Sequence, residues 1–93
     1  MMSGSHKYSV VFTKKVRKSL VKIPQNIRDK FFFLAEQLAE RGPVAANWHN
    51  YSKLGQNEYH CHLGYSWVAC WTHEKGTITI EVYYVGSREN APY

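Results

Sequence analysis

Glu58-Tyr59-His60-Cys61-His62-Leu63-Gly64-Tyr65-Ser66-Trp67-Val68-Ala69-Cys70-Trp71-Thr72-His73 is the stretch around which the rest of the chain organises. Two runs rich in aromatic and β-branched residues flank Gly64-Tyr65, a pair suited to a tight hairpin turn. Residues 58–63 and 66–73 therefore read as antiparallel strands. A two-residue turn sets Leu63 opposite Ser66, Cys61 opposite Val68 and Tyr59 opposite Cys70, and directly opposed residues share a face. One face of the hairpin then carries Tyr59, Cys61, Leu63, Val68 and Cys70. The other carries Glu58, His60, His62, Trp67, Ala69, Trp71 and His73. Downstream, after Glu74-Lys75-Gly76, residues 77–85 alternate Ile78, Ile80, Val82 and Tyr84 with Thr79, Glu81 and Tyr83, a third strand. Its apolar set belongs with the Cys-Val-Leu face, because a sheet with helices on one side buries that side.

Working back toward the N-terminus, residues 7–12 form a first short strand. Thr13 supplies a helix N-cap hydroxyl, and Val16, Leu20 and Ile23 fall on one helical stripe. Pro24 ends that helix, since the residue before a proline is pushed out of the α region. Ile27, Phe31, Leu34, Ala35 and Leu38 make the apolar stripe of a second helix over 25–41, stopped by Gly42-Pro43. Phe33 lies on the polar face of this helix. Residues 42–56 read as a connector anchored by Trp48, Tyr51 and Leu54. The expected architecture is α+β: a small antiparallel sheet with an N-terminal strand and a two-helix hairpin packed on one face. A chain of 93 residues holds one such domain, 1–93.

Composition narrows the class. At 44% hydrophobic and 20% charged, the chain is neither disordered nor built to span a membrane, and no apolar run exceeds five residues. No apolar signal region follows the N-terminal residues, so a cytoplasmic location is expected. Cys61 and Cys70 lack Cys-x-x-Cys spacing and read as reduced, packed thiols. Twelve Lys and Arg against seven Asp and Glu give a net charge of +5. Six of the twelve basic residues lie between Lys7 and Lys22, a stretch without an acidic residue. This is either a solvated helix face or a surface for a polyanion.

The helix-free sheet face carries His60, His62, Trp67, Trp71, His73, Glu81 and Tyr83, and it is the candidate site. Histidine titrates near neutral pH, so a pair can divide the roles of acid and base. His60-x-His62 sets two imidazoles on one strand face roughly 6.5–7 Å apart, a span that brackets one phosphate. Glu81 falls across Ala69 from His60 and is placed to hold its ring. Trp67 and Trp71 offer stacking surfaces to unpaired bases. The alternatives are an ordinary surface histidine pair, a zinc site using His73 or Glu81 as a further ligand, and a protein-binding patch around the tryptophans.

Three short motifs, in this order and spacing, add to that reading: Lys53-Leu54-Gly55, Tyr59-His60-Cys61-His62-Leu63-Gly64, and Val85-Gly86-Ser87-Arg88-Glu89. Over Tyr8–Tyr93 the chain resembles the RelE/ParE superfamily of bacterial toxins from toxin–antitoxin pairs. The RelE branch, as the resemblance implies, cuts messenger RNA on the ribosome without a metal or other cofactor. The 2′-hydroxyl attacks the adjacent phosphate and leaves a 2′,3′-cyclic phosphate. The resemblance implies catalytic roles for His60, His62, Arg88 and Tyr93, and substrate contacts from Lys53 and from Trp67, which stands where the family has an arginine. Trp71 and Glu81 join the substrate-binding set from the strand-face argument. The implied partners are a cognate antitoxin and messenger RNA on the ribosome, with no membrane. The alternatives are a ParE-like, non-enzymatic inhibitor of DNA gyrase and an interaction module without activity.

Overall fold

The computed structural model describes residues 7–93, so residues 1–6 of the expected domain lie outside the described residues. The elements run β1 (Ser9–Phe12), α1 (Lys14–Leu20), α2 (Gln25–Arg41), β2 (Ser52–Lys53), β3 (Glu58–His62), β4 (Trp67–His73) and β5 (Thr79–Ser87), followed by a 3-10 turn at Arg88–Asn90. Thr13 caps α1 as its sequence position suggests, its Oγ1 accepting from Val16 N at 3.2 Å. Helix α2 spans the residues expected of it. It ends at Gly42, whose N–H donates to Leu38 O and whose φ of 100° suits glycine. A Cβ there would also stand 3.0 Å from the Tyr8 ring, so the helix end and the approach of Tyr8 depend on the same missing side chain.

The strands form one sheet in the order β1-β5-β4-β3-β2. β2–β3, β3–β4 and β4–β5 are antiparallel, while β1 joins β5 in parallel across the helical crossover. The helices cover one face. Val16, Leu20, Ile27, Phe31, Leu34 and Leu38 meet Tyr59, Cys61, Ala69, Trp71, Ile80 and Val82 in a single buried cluster. Each large apolar side chain fully buried there stabilises the fold by about 1.5–3 kcal/mol. The short strand β2 lies within the segment that the sequence reads as a connector. Its two residues, Ser and Lys, carry no apolar alternation, and only pairing with β3 makes them a strand.

The hairpin register differs from the expected one by a single residue. Leu63 N donates to Trp67 O, and the pairs run His62↔Val68, Cys61↔Ala69, His60↔Cys70 and Tyr59↔Trp71. Three residues, Gly64-Tyr65-Ser66, make the turn rather than two. A slip of one position moves every side chain of a strand to the opposite face. Tyr59, Cys61 and Leu63 stay on the helix side as expected. In β4, Trp67, Ala69 and Trp71 turn toward the helices, and Val68 and Cys70 turn toward the histidines. Cys61 and Cys70 are free thiols, both buried, on opposite faces.

A bulge beside Cys70 and Trp71 then restores the apolar side of β5. Cys70 faces Tyr84 and Trp71 faces Val82, so Tyr83 is the extra residue. Beyond it the parity changes: Val85 enters the core, and Tyr84, expected there, leaves it. Ile78, expected in the core, precedes β5 and is 64% exposed.

Candidate active site

His60 and His62 project from β3 on the face away from the helices, opposite Cys70 and Val68. That face is not open to water as the sequence suggested. His60 and His62 are only 7% and 9% exposed, and Val68 and Cys70 are fully buried. The chain after β5 folds back over it, bringing the Tyr93 ring to 4.5 Å from the His60 ring, centroid to centroid. The two imidazoles lie 5.7 Å apart.

Each histidine has one ring nitrogen occupied by a neighbour. Ser52 Oγ is 3.1 Å from His60 Nδ1, because Ser52 pairs with His60 across β2–β3 and shares its face. Asn50 Nδ2 reaches His62 Nδ1 at 3.4 Å. An amide nitrogen can only donate, so this contact leaves Nδ1 as acceptor and the ring proton on Nε2. Asn50 has a φ of 53°, a left-handed conformation that asparagine tolerates. The connector thereby runs back along β3, and His62 N donates to His49 O at 2.8 Å. The His49 ring stands edge-on to His62 at 6.1 Å.

The electrostatics separate these groups. Burial lowers the His62 pKa below the usual 6.5, helped by the positive potential of His60, Arg88 and His49, so His62 is neutral at pH 7. Burial raises the Tyr93 phenol above its usual 10, with Cys70 adding to the rise and Arg88 opposing it. It therefore keeps its proton at neutral pH. Arg88 is exposed and lies over the Tyr65 ring, 5.7 Å from its centroid. Burial pushes the Cys61 and Cys70 thiols up to about 12, which makes them poor nucleophiles. Tyr83 donates to Glu58 Oε1 at 3.4 Å, and its own pKa is raised by burial first.

Four residues expected at the substrate surface do not reach it. Trp71 is fully buried among the helices' partners, stacked on Tyr59 and donating from Nε1 to Pro43 O at 2.9 Å. Trp67 is half-buried on the same side and packs against the core. Both were turned by the three-residue hairpin. Lys53 pairs with Tyr59 and places its Nζ 5.6 Å from the centre of that ring, on the face opposite the histidines. Glu81 lies on the histidine side but opposite Thr72, aligned with Glu58 rather than His60, so the Ser52 hydroxyl takes the role expected of it. His73 also leaves the site; it pairs with Ile80, and its Nε2 lies 2.8 Å from Thr77 O. His49, Asn50 and Ser52 were missed because they sit in a connector without periodicity. The readable signal was an Asn beside a His, a residue type that turns a chain through the left-handed region.

Among the described residues no group of three or more His, Cys, Asp or Glu side chains is arranged to hold a metal ion. The arrangement instead sets a neutral imidazole, a protonated phenol and a guanidinium around one patch of sheet. A base, a proton donor and fixed positive charge are the groups that phosphodiester transfer requires.

The fold is shared with solved structures of RelE and related toxins. The RelE chain of the archaeal RelE–RelB complex from Pyrococcus horikoshii OT3 superimposes with a TM-score of 0.73 at 17% identity, over 91% of this chain and 99% of that one. The isolated Escherichia coli RelE toxin matches with a TM-score of 0.71 at 16% identity, over 91% and 88% of the two chains. A metal-bound toxin from Helicobacter pylori matches with a TM-score of 0.66 at 22% identity, over 88% and 96%. No family model and no curated protein matches the chain by sequence. Among the described residues no helix is long and apolar enough to cross a membrane.

Proposed function

We propose that this chain is the toxin of a toxin–antitoxin pair, a cytoplasmic endoribonuclease that cuts messenger RNA without a metal. The observation that carries the reading is the joint presence of His62, Tyr93 and Arg88 around one sheet face, within a fold shared with RelE toxins. His62 is the base. For it to take a proton, the ring must first present an unprotonated nitrogen to substrate, so Asn50 yields Nδ1 or the proton moves between ring nitrogens. The 2′-oxygen then bonds to phosphorus, and the P–O5′ bond breaks. Tyr93 donates its proton to the departing 5′-oxygen, because it is 53% exposed while His60 lies behind it. Arg88 faces the non-bridging oxygens, where a guanidinium pairs with phosphate. The products are a 2′,3′-cyclic phosphate and a 5′-hydroxyl, and solvent returns the proton from His62 to Tyr93. His60, held by Ser52, positions the Tyr93 ring. The Pyrococcus horikoshii relative was solved with RelB, and an antitoxin covering this same face would silence the site.

The test is translation in vitro, with primer extension on the message and end-group analysis. Cuts at defined positions bearing a 5′-hydroxyl, unchanged by a chelator, are the expected result. Loss of cutting with EDTA and its return with zinc would replace the imidazole mechanism by a metal one. Intact messages alongside blocked replication would return the gyrase reading.

A further inference from the structure

A cleft of about 630 Å3 opens beside the site, between α2, the connector and the β3–β4 turn. Its lining includes the aromatic rings of Phe33, Trp48 and Tyr65 and the polar side chains of Lys30, Asn47 and His62. We infer that this cleft is a base-binding subsite, which receives the nucleobase of the nucleotide whose 2′-hydroxyl attacks. The inference rests on the nuclease reading above for the position of that nucleotide, and on the cleft itself for the chemistry.

Three observations carry it. First, the cleft and the site are continuous. His62 belongs to both, and Arg88 lies over the ring of Tyr65, which also lines the cleft, so a phosphate held by Arg88 and His62 leaves its 5′-side nucleoside beside the cleft. Second, the aromatic wall is prepared before any ligand arrives. Trp48 Nε1 donates to Gln37 Oε1 at 2.7 Å, and the Phe33 and Trp48 rings lie 5.9 Å apart. Phe33 and Tyr65 are nonetheless 58% and 86% exposed, so both rings keep free face area for a ligand. Third, the polar groups of the lining suit a base attached to a phosphodiester. Asn47 offers both donor and acceptor to a base edge, and Lys30 adds positive charge. The volume falls within the range of small-ligand sites. An unpaired base is the occupant that uses flat aromatic walls, amide hydrogen bonding and positive charge together.

Nucleoside 3′-monophosphates reproduce the base, ribose and phosphate on the 5′ side of a cut, and ribose 3-phosphate is the same probe without its base. Binding is followed by quenching of tryptophan fluorescence and by the imidazole NMR signals of His62. The base-bearing probes should bind about 5- to 140-fold more tightly than ribose 3-phosphate, the span that one stacked base provides. Phe33→Ala, at an exposed position, should abolish most of that difference while leaving ribose 3-phosphate binding unchanged. Trp48→Phe should remove the quenching and preserve the His62 response. Equal binding of the two kinds of probe, or a Phe33→Ala effect of the same size on both, would overturn the subsite. Message cleavage is measured in parallel. Base-dependent binding by a protein that cuts no RNA would refute the nuclease reading and leave the subsite standing. Normal cleavage without base-dependent binding would do the reverse.

Discussion

Replacing Trp71 tests the hairpin register on which the site depends. In the structure Trp71 is fully buried, its indole nearly parallel to Tyr59 at 6.1 Å and tilted by 29° to Tyr51 at 6.4 Å, and Nε1 donates to Pro43 O. Trp71→Ala removes one ring of this three-ring cluster, a loss of about 3–5 kcal/mol for a buried aromatic ring. Trp71→Phe keeps a ring in the cluster and forfeits the hydrogen bond, about 0.5–1.5 kcal/mol, with a smaller loss for the missing part of the indole. In a domain of this size each kcal/mol lowers the unfolding midpoint by roughly 4–8 °C. Trp71→Ala should therefore fall by about 12–40 °C, and Trp71→Phe by about 2–12 °C from the hydrogen bond alone. Thermal unfolding followed by circular dichroism measures both, and RNA affinity is compared at a temperature where parent and Phe variant are folded. The Phe variant should bind RNA like the parent. In the two-residue-turn register Trp71 stands on the histidine face as a stacking surface, and both variants would keep the parent midpoint within about 0.5 kcal/mol while losing RNA affinity. That pattern would refute the register, and with it the placement of every β4 side chain.

His62→Ala should slow the chemical step about 10²–10⁴-fold in single-turnover cleavage with the fold retained. The parent rate should fall as the pH drops below 6.5, because protonation then removes the base. Stability follows the same sign: the folded state binds this proton more weakly than the unfolded chain, so the contribution is complete above 6.5 and lost below it, and His62→Gln should flatten this part of the stability–pH curve. With Tyr93 as donor, the rate should hold from neutrality into the alkaline range, its pKa being raised above the usual 10; cleavage at the parent rate by Tyr93→Phe, with loss in His60→Gln, would reassign the acid to His60. Arg88→Ala should slow cleavage at every pH without changing the profile's shape, since a guanidinium does not titrate in this range. Thr13→Ala should cost about 0.5–2 kcal/mol in chemical denaturation, the worth of an N-cap, with cleavage unchanged below the transition. Reversing the exposed charges at Lys14, Lys15, Arg17, Lys18 and Lys22 should reduce the salt dependence of ribosome or RNA binding, and equal salt slopes would remove α1 from the footprint.

The elements of this fold were legible in one dimension because their signals are local. Thr13, Pro24 and Gly42 bracket the two helices through backbone chemistry that acts within one turn. Ile27, Phe31, Leu34 and Leu38 mark the buried stripe of α2 by spacing alone. Alternation along β3 likewise assigned His60 and His62 to the face away from the helices. The partners of those histidines were not local. One added residue in the Gly64-Tyr65-Ser66 turn exchanged Trp67 and Trp71 for Val68 and Cys70, and the bulge at Tyr83 exchanged Tyr84 for Val85. Neither event leaves a periodic trace, because both strand faces hold enough aromatic and aliphatic residues to pass as core. Packing chose between them: the indole of Trp71 packs against both Tyr59 and Tyr51 and finds a carbonyl for its N–H. His49, Asn50, Ser52 and Tyr93 reach the histidines from the connector and the end of the chain. Their proximity is a consequence of chain reversal and long-range pairing, energies that no window of neighbouring residues contains.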